Sequence, residues 1–180
     1  MKYCLVSLGC QMNTSDAERV SAVLESIGFE HTESEEDADI LGLVACSVRQ
    51  RAIDRAYAKI RKWNSWKNRR NLLTFATGCV LPTDMERFLE VFDFFFPINE
   101  LPDLPDMIAA YGVVSEAGLR LQGDALDTGA RAAAPSQYDK RRGFWRIAPA
   151  YASTFEAFVP IQNGCDKFCS FCAVPYTRGR

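Results

Sequence analysis

Cys165, Cys169 and Cys172, in the run Gly164-Cys165-Asp166-Lys167-Phe168-Cys169-Ser170-Phe171-Cys172, carry the plainest chemical signal in the chain. Their offsets of four and three let a short loop wrap three thiolates around one soft metal centre. A zinc site takes a fourth ligand, yet the only histidine is the distant His31 and the next cysteine upstream is Cys79. Three thiolates with one open position suit a 4Fe–4S cluster whose fourth iron stays free for a ligand such as S-adenosylmethionine. Thiols seldom gather this closely without a metal or redox purpose.

The elements that must position such a loop are read from the start of the chain. Lys2 to Leu8 is expected as a short buried strand closed by Gly9-Cys10. Asn13, Thr14 or Ser15 would cap a helix through Val20, Val23, Leu24 and Ile27, with Glu18 completing a capping box from Ser15 and Gly28 ending it. The apolar run from Ala38 to Ala45 suits a strand buried on both faces, with Cys46 at its end. Ser47 would cap a second helix with Ile53, Ala56, Tyr57, Ile60 and Trp63 on one face. Asn71 to Thr77 is the third expected strand, closed by Gly78-Cys79. Thr83 or Asp84 would cap a short helix through Phe88 and Leu89, and Phe92 to Pro97 is a fourth strand.

Strands alternating with helices imply right-handed crossovers and a small, mostly parallel sheet covered on both faces, an α/β fold of the Rossmann or flavodoxin-like kind. Cys10, Cys46 and Cys79 each follow an expected strand and precede an expected helix. All three should therefore sit at the carboxyl edge of one sheet, where open α/β sheets place ligands. A small apolar residue at a strand end is the plain alternative for one such cysteine. Three in the same topological position, two of them after Gly, point to a second iron–sulfur site. Cys4 lies inside the first strand and is read as packing.

Composition agrees with a globular chain: of 180 residues, 48% are hydrophobic and 24% charged. No apolar run approaches the roughly 20 residues that cross a bilayer, and the start lacks the apolar core of a signal peptide. Seven cysteines, an odd number, do not make an obvious disulfide framework, so a reducing, cytoplasmic location is expected. The net charge of −2 hides segregation, with acids crowding Glu30 to Asp39 and bases running from Arg49 to Arg70 around Trp63 and Trp66. Such a basic stretch could meet phosphate, although a solvated helix face is the commoner meaning. Leu101 to Asp106 reads as a turn-rich connector before a short helix from Met107 to Tyr111. The expected division is an α/β domain at 1–112, a linker at 113–152 and a further unit at 153–180. Lys140, Arg141, Arg142 and Arg146, beside Phe144 and Trp145, form a second basic cluster in the linker. Phe155 to Ile161 should be the strand leading into the cysteine loop.

The CxxxCxxC spacing with Phe171 before its last cysteine resembles the radical S-adenosylmethionine superfamily. The flanks Val159-Pro160-Ile161-Gln162-Asn163-Gly164 and Ala173-Val174-Pro175-Tyr176-Thr177-Arg178-Gly179-Arg180 resemble its methylthiotransferases, most of all the MiaB-type tRNA enzymes. Gly9-Cys10-Gln11-Met12-Asn13 with Asp16 and Glu18, Ala45-Cys46-Ser47-Val48-Arg49, and Thr77-Gly78-Cys79 match the amino-terminal domain of the same family in order. Val44-Ala45 stand where the family usually shows Asn-Thr, which removes two polar side chains that could tune a cluster's potential.

The resemblance implies two 4Fe–4S clusters, one on Cys10, Cys46 and Cys79 and one on Cys165, Cys169 and Cys172, with S-adenosylmethionine at the latter. It implies addition of a 2-methylthio group to N6-isopentenyladenosine beside a tRNA anticodon, with an electron donor such as flavodoxin or ferredoxin and a monomeric, membrane-free protein. Other readings are a ribosomal-protein aspartate methylthiotransferase, a non-catalytic iron–sulfur or RNA-docking module, and a zinc-binding regulator. The family's catalytic domain is similar to a partial (β/α) barrel, and a full barrel takes roughly 250 residues. Only its first strand and loop are expected here, so this polypeptide alone is expected not to turn over.

Overall fold

A computed structural model of the chain describes residues 1–112 and 143–179. Five strands form one wholly parallel sheet: β1 (Lys2–Ser7), β2 (Glu30–His31), β3 (Ile40–Cys46), β4 (Leu73–Cys79) and β5 (Phe94–Phe95). Their order is β2-β1-β3-β4-β5, the doubly wound arrangement of the flavodoxin type. Helices α1 (Gln11–Ser26), α2 (Gln50–Lys67), α3 (Pro82–Leu89) and α4 (Leu104–Ala110) join them, with a 3-10 turn at Ile98–Asp103 leading into α4.

The period of two along the strands divides the core. Ile40 and Phe75 face one layer, where Val20, Val23 and Leu24 of α1 meet Leu101, Leu104 and Ile108. Leu41, Leu43, Ala45 and Ala76 face the other, where Ile53, Ala56, Ile60 and Trp63 of α2 meet Phe88 of α3. Every residue of β3 and β4 is buried, as central parallel strands require. Cys4 lies in the second layer, 5% exposed, in keeping with a packing role. Among the described residues no helix is long and apolar enough to cross a membrane.

Several local expectations are corrected. α1 begins at Gln11 with Cys10 as N-cap, not at Asn13 to Ser15, because the Asn13 side chain reaches back to accept from the Cys10 N–H at 3.3 Å. Ser15 and Glu18 are consequently buried within the helix. α2 starts at Gln50 after Arg49, and Ser47 serves another loop: its Oγ accepts from the Leu81 N–H at 3.1 Å. α3 follows Leu81 with Pro82 in its first turn rather than a Thr83 or Asp84 cap, since proline is already set to a helical φ. β5 is shorter than Phe92–Pro97, and β2 arises in the acidic stretch, where two exposed polar residues give no apolar signal.

The connector at Leu101–Asp106 is the end of the 3-10 turn and the start of α4. The linker expected at 113–152 is described only from 143, so Lys140, Arg141 and Arg142 lie outside the described residues. Its last part is no coreless strap. Phe144 is 1% exposed in the α1 layer, the Arg19 guanidinium lies 5.3 Å from the rings of both Phe144 and Trp145, and the Ala150 N–H donates to Glu18 O at 3.0 Å. Residues 155–161, expected as a strand, are irregular. Phe155 and Ile161 are each 99% exposed, and no described strand pairs with them; an isolated strand has no ladder to hold it.

The acidic and basic stretches largely answer each other. Glu35 accepts from Lys59 and from Trp63 Nε1 at 3.1 Å, with Lys62 at 3.6 Å, while Arg70 donates to the carbonyls of Glu35 and Glu36. Burial alone would raise the Glu35 carboxyl, but the hydrogen bonds from Lys59 and Trp63 and the charges of Lys59 and Lys62 outweigh it and hold the group below its ordinary value of 4.5. A lowered folded value means that this stabilisation is complete above that ordinary value and is lost as the pH falls through the folded one. Glu35→Gln should therefore cost about 1 kcal/mol at pH 7 in urea denaturation, with the difference from the parent shrinking toward pH 3.

Candidate metal centre

Parallel pairing in register brings two of the cysteines together. Cys46 and Cys79 are the last residues of β3 and β4 and are direct Cα partners across the ladder. Cys10 stands just beyond β1, at the first turn of α1. The three expected residues thus converge on the carboxyl edge, beside the β1–β3 position where the strand order reverses.

One side chain ties the first two of these loops. Asn13 is fully buried; its Nδ2 donates to Ala45 O at 2.9 Å, and its Oδ1 accepts from the Cys10 N–H and lies 3.5 Å from Cys10 Sγ. Glycines make room for it. A Cβ on Gly9 would stand 2.2 Å from Asn13 Oδ1 and 3.0 Å from Cys46 Cβ. Gly78 has φ +112°, and a Cβ there would meet Ala45 O at 2.4 Å. The Ser47 N–H donates to Cys79 O at 2.8 Å, which extends the β3–β4 ladder past its end. Beside this edge opens a cleft of about 340 Å³ lined by Ser7, Gly9, Cys10, Gln11, Thr14 and Arg49.

Burial pushes the Cys79 thiol up to about 11; Arg178 opposes the shift, while Asp16 and Cys46 add to it. A thiol so placed keeps its proton at neutral pH.

The second cysteine group lies on an irregular loop before the short helix Val174–Thr177. Cys165 and Cys172 are half-buried and Cys169 is exposed. The Cys172 N–H donates to Cys169 O and the Cys165 N–H to Gly179 O, each at 3.0 Å, and Phe168 takes the left-handed φ of 49° that a tight loop demands. Phe171 is 92% exposed. Among the described residues, no three His, Cys, Asp or Glu side chains are gathered for a single metal ion.

Arg178 carries no local signal for burial, yet it is 7% exposed and joins the two cysteine groups. Its Nε donates to Cys79 Sγ at 2.8 Å and one terminal nitrogen to Asp16 Oδ1 at 3.1 Å and Asn163 Oδ1 at 3.2 Å; the other terminal nitrogen pairs with Asp16 Oδ2. Burial works against its charge, but the hydrogen bond and charge of Asp16 keep the guanidinium protonated, above its ordinary value. Burial raises the Asp16 carboxyl, and Arg178 counters it. The only signal for this pair in the sequence was the presence of Asp16 and Arg178 within the two matched motifs.

A doubly wound α/β domain with cysteines on three strand-to-helix loops is the class that fold and site define. The family described as "Uncharacterized protein family UPF0004" matches residues 2–96, and this chain belongs to it. The chain is 34% identical to the tRNA-2-methylthio-N(6)-dimethylallyladenosine synthase of Dictyoglomus thermophilum, over 99% of this chain and 38% of that protein. Enzymes of the same name from Geobacter metallireducens and Haemophilus ducreyi are 34% and 33% identical, over 97% and 99% of this chain and 37% and 35% of theirs. The resemblance to methylthiotransferases seen in the cysteine motifs is borne out by these relatives, of whose length the chain spans well under half.

Asn13→Ala should leave the Cys10 N–H and the Ala45 carbonyl without their partner and lower stability by about 1–3 kcal/mol. Chemical denaturation of the metal-free protein is the measure. Thr14→Ala, on the open side of the same turn, should change it by less than about 0.5 kcal/mol.

Proposed function

We propose that this chain is the amino-terminal part of a tRNA methylthiotransferase that carries two 4Fe–4S clusters, one held by Cys10, Cys46 and Cys79 and the other by Cys165, Cys169 and Cys172. The observation that carries the reading is the convergence of three thiols from separate loops on one sheet edge, with the second cysteine loop docked beside them through Arg178. The donor set is thiol alone, which suits iron–sulfur ligation better than harder metals.

The proposed substrate is N6-isopentenyladenosine beside a tRNA anticodon, since the relatives are named as tRNA-2-methylthio-N(6)-dimethylallyladenosine synthases. When bound, the clusters and S-adenosylmethionine would supply one-electron chemistry and the transferred methyl and sulfur, with flavodoxin or ferredoxin as electron source. The chain's own residues would hold the thiolates in place: Asn13 joins the Cys10 loop to the β3 exit, Ser47 secures the β3–β4 exits, and Arg178 seats the second loop. The cleft lined by Gly9, Cys10 and Thr14 leaves the amino-terminal site open to a small ligand. Residues 1–112 are assigned to the α/β domain, 113–152 to a connector and 153–180 to the unit bearing the second site.

tRNA would lie along the exposed face of α2. Lys59, Lys67 and Arg70 are engaged with Glu35, Asp93 and the 35–36 backbone, whereas Arg51, Arg55 and Arg61 on α2 and Arg69 just beyond its end are exposed.

Anaerobic reconstitution with iron counting tests the reading. About eight irons per chain are expected, falling to about four when Cys10, Cys46 and Cys79 are replaced by Ala, and again to about four when Cys165, Cys169 and Cys172 are replaced. A parent protein that takes up zinc and no iron would overturn it.

A further inference from the structure

Arg178 belongs to neither set of proposed ligands, and it lies where the two sets meet. Its acceptors come from three places: Asp16 on α1, Asn163 two residues before Cys165, and Cys79 at the end of β4. The guanidinium is planar, with donors fixed in a fork, so one placement must satisfy all three. The Asp16 side chain is 0% exposed and that of Arg178 2% exposed. At such burial neither charge can stand alone, and removal of one strands the other. Asp16 therefore draws the guanidinium in, and the third contact is made to sulfur.

We propose that Arg178 is a positioning residue that clasps the Cys165–Cys172 loop onto the α/β domain and donates a hydrogen bond to Cys79 Sγ, so that the electron affinity of the amino-terminal site depends on docking of the second loop. The backbone bond from Cys165 N–H to Gly179 O closes the clasp, since it joins the first cysteine of the loop to the residue after Arg178. A positively charged donor to a ligating sulfur stabilises the more negative, reduced state and raises the reduction potential. Lysine could restore the charge but not the three-way fork. The electronic half of this proposal rests on the two-cluster reading; the clasp itself does not.

The test has two arms, both on the full chain. In metal-free protein, hydrogen exchange of the peptides covering 163–179 should quicken at least tenfold in Arg178→Met and in Asp16→Asn, while β3 and the early part of β4 stay protected. Unchanged exchange at 163–179 in both variants would overturn the clasp. If Arg178→Met fails to fold, Asn163→Ala, which removes one acceptor and leaves the buried pair, should quicken the same peptides, and its failure to do so would count against the clasp equally.

In the second arm, Cys165, Cys169 and Cys172 are replaced by Ala so that only the amino-terminal site can load. Against this parent, Arg178→Met should keep its iron and lower the potential read by electron paramagnetic resonance titration by a tenfold change in the one-electron equilibrium, about 59 mV. Arg178→Lys should shift it less. Equal potentials at equal iron content would overturn the electronic half. A parent that loads no iron would instead overturn the cluster reading and the electronic half with it, leaving the exchange result to decide the clasp.

Discussion

The buried pair of Arg178 and Asp16 is the constraint on which the rest of the site depends. Removing one partner from such a pair typically costs about 3–5 kcal/mol, because the other charge is left without solvent or counterion. That asymmetry makes the arrangement all-or-none: either the segment from Asn163 to Gly179 is seated against the sheet edge, or Asp16 is buried unpaired in α1. Seating it places the guanidinium on Cys79 and the second cysteine loop beside the first. A contact spanning 162 positions of sequence thereby sets the spatial relation of two thiol groups that neither local structure nor the sheet could set alone.

The sheet does the other half. Parallel strands of equal phase end together, and in β3 and β4 the last paired residues are Cys46 and Cys79. Cys10 arrives through the tight exit of β1, where Gly9 lets the loop pass close to Cys46 and Asn13 stitches it to Ala45. Two hydrophobic layers of unlike origin hold this edge rigid. One is built on α1 with the chain after β5 and the returning Phe144, the other on α2 and α3 around Trp63. Rigid elements below and ligands on loops above is the usual division of labour in open α/β sheets.

What could be read in advance follows from where the signal is local. The apolar runs around Leu41 and Phe75 and the helical period of Ile53, Ala56 and Ile60 announced strands and helix directly, and the position of each cysteine after a strand followed from them. Capping is not legible locally where a side chain has a distant partner: Ser47 serves Leu81 instead of α2, and Asn13 works from inside α1. β2 was missed because its pairing with β1 comes through the backbone of exposed Glu30 and His31. Phe155 to Ile161 carried a strand-like composition, but composition cannot supply a neighbour to pair with. Burial of an arginine is the least legible feature of all, because it depends on a carboxylate far away in the chain.

The central claim is that two iron–sulfur sites stand on either side of Arg178, one on Cys10, Cys46 and Cys79 and the other on Cys165, Cys169 and Cys172. Iron-edge anomalous diffraction from crystals of the anaerobically reconstituted chain addresses it directly. Two iron peaks are predicted, one bounded by each cysteine group, with the Arg178 side chain between them and still bound to Asp16. A single peak, or two peaks with Arg178 turned out to solvent, would contradict the account.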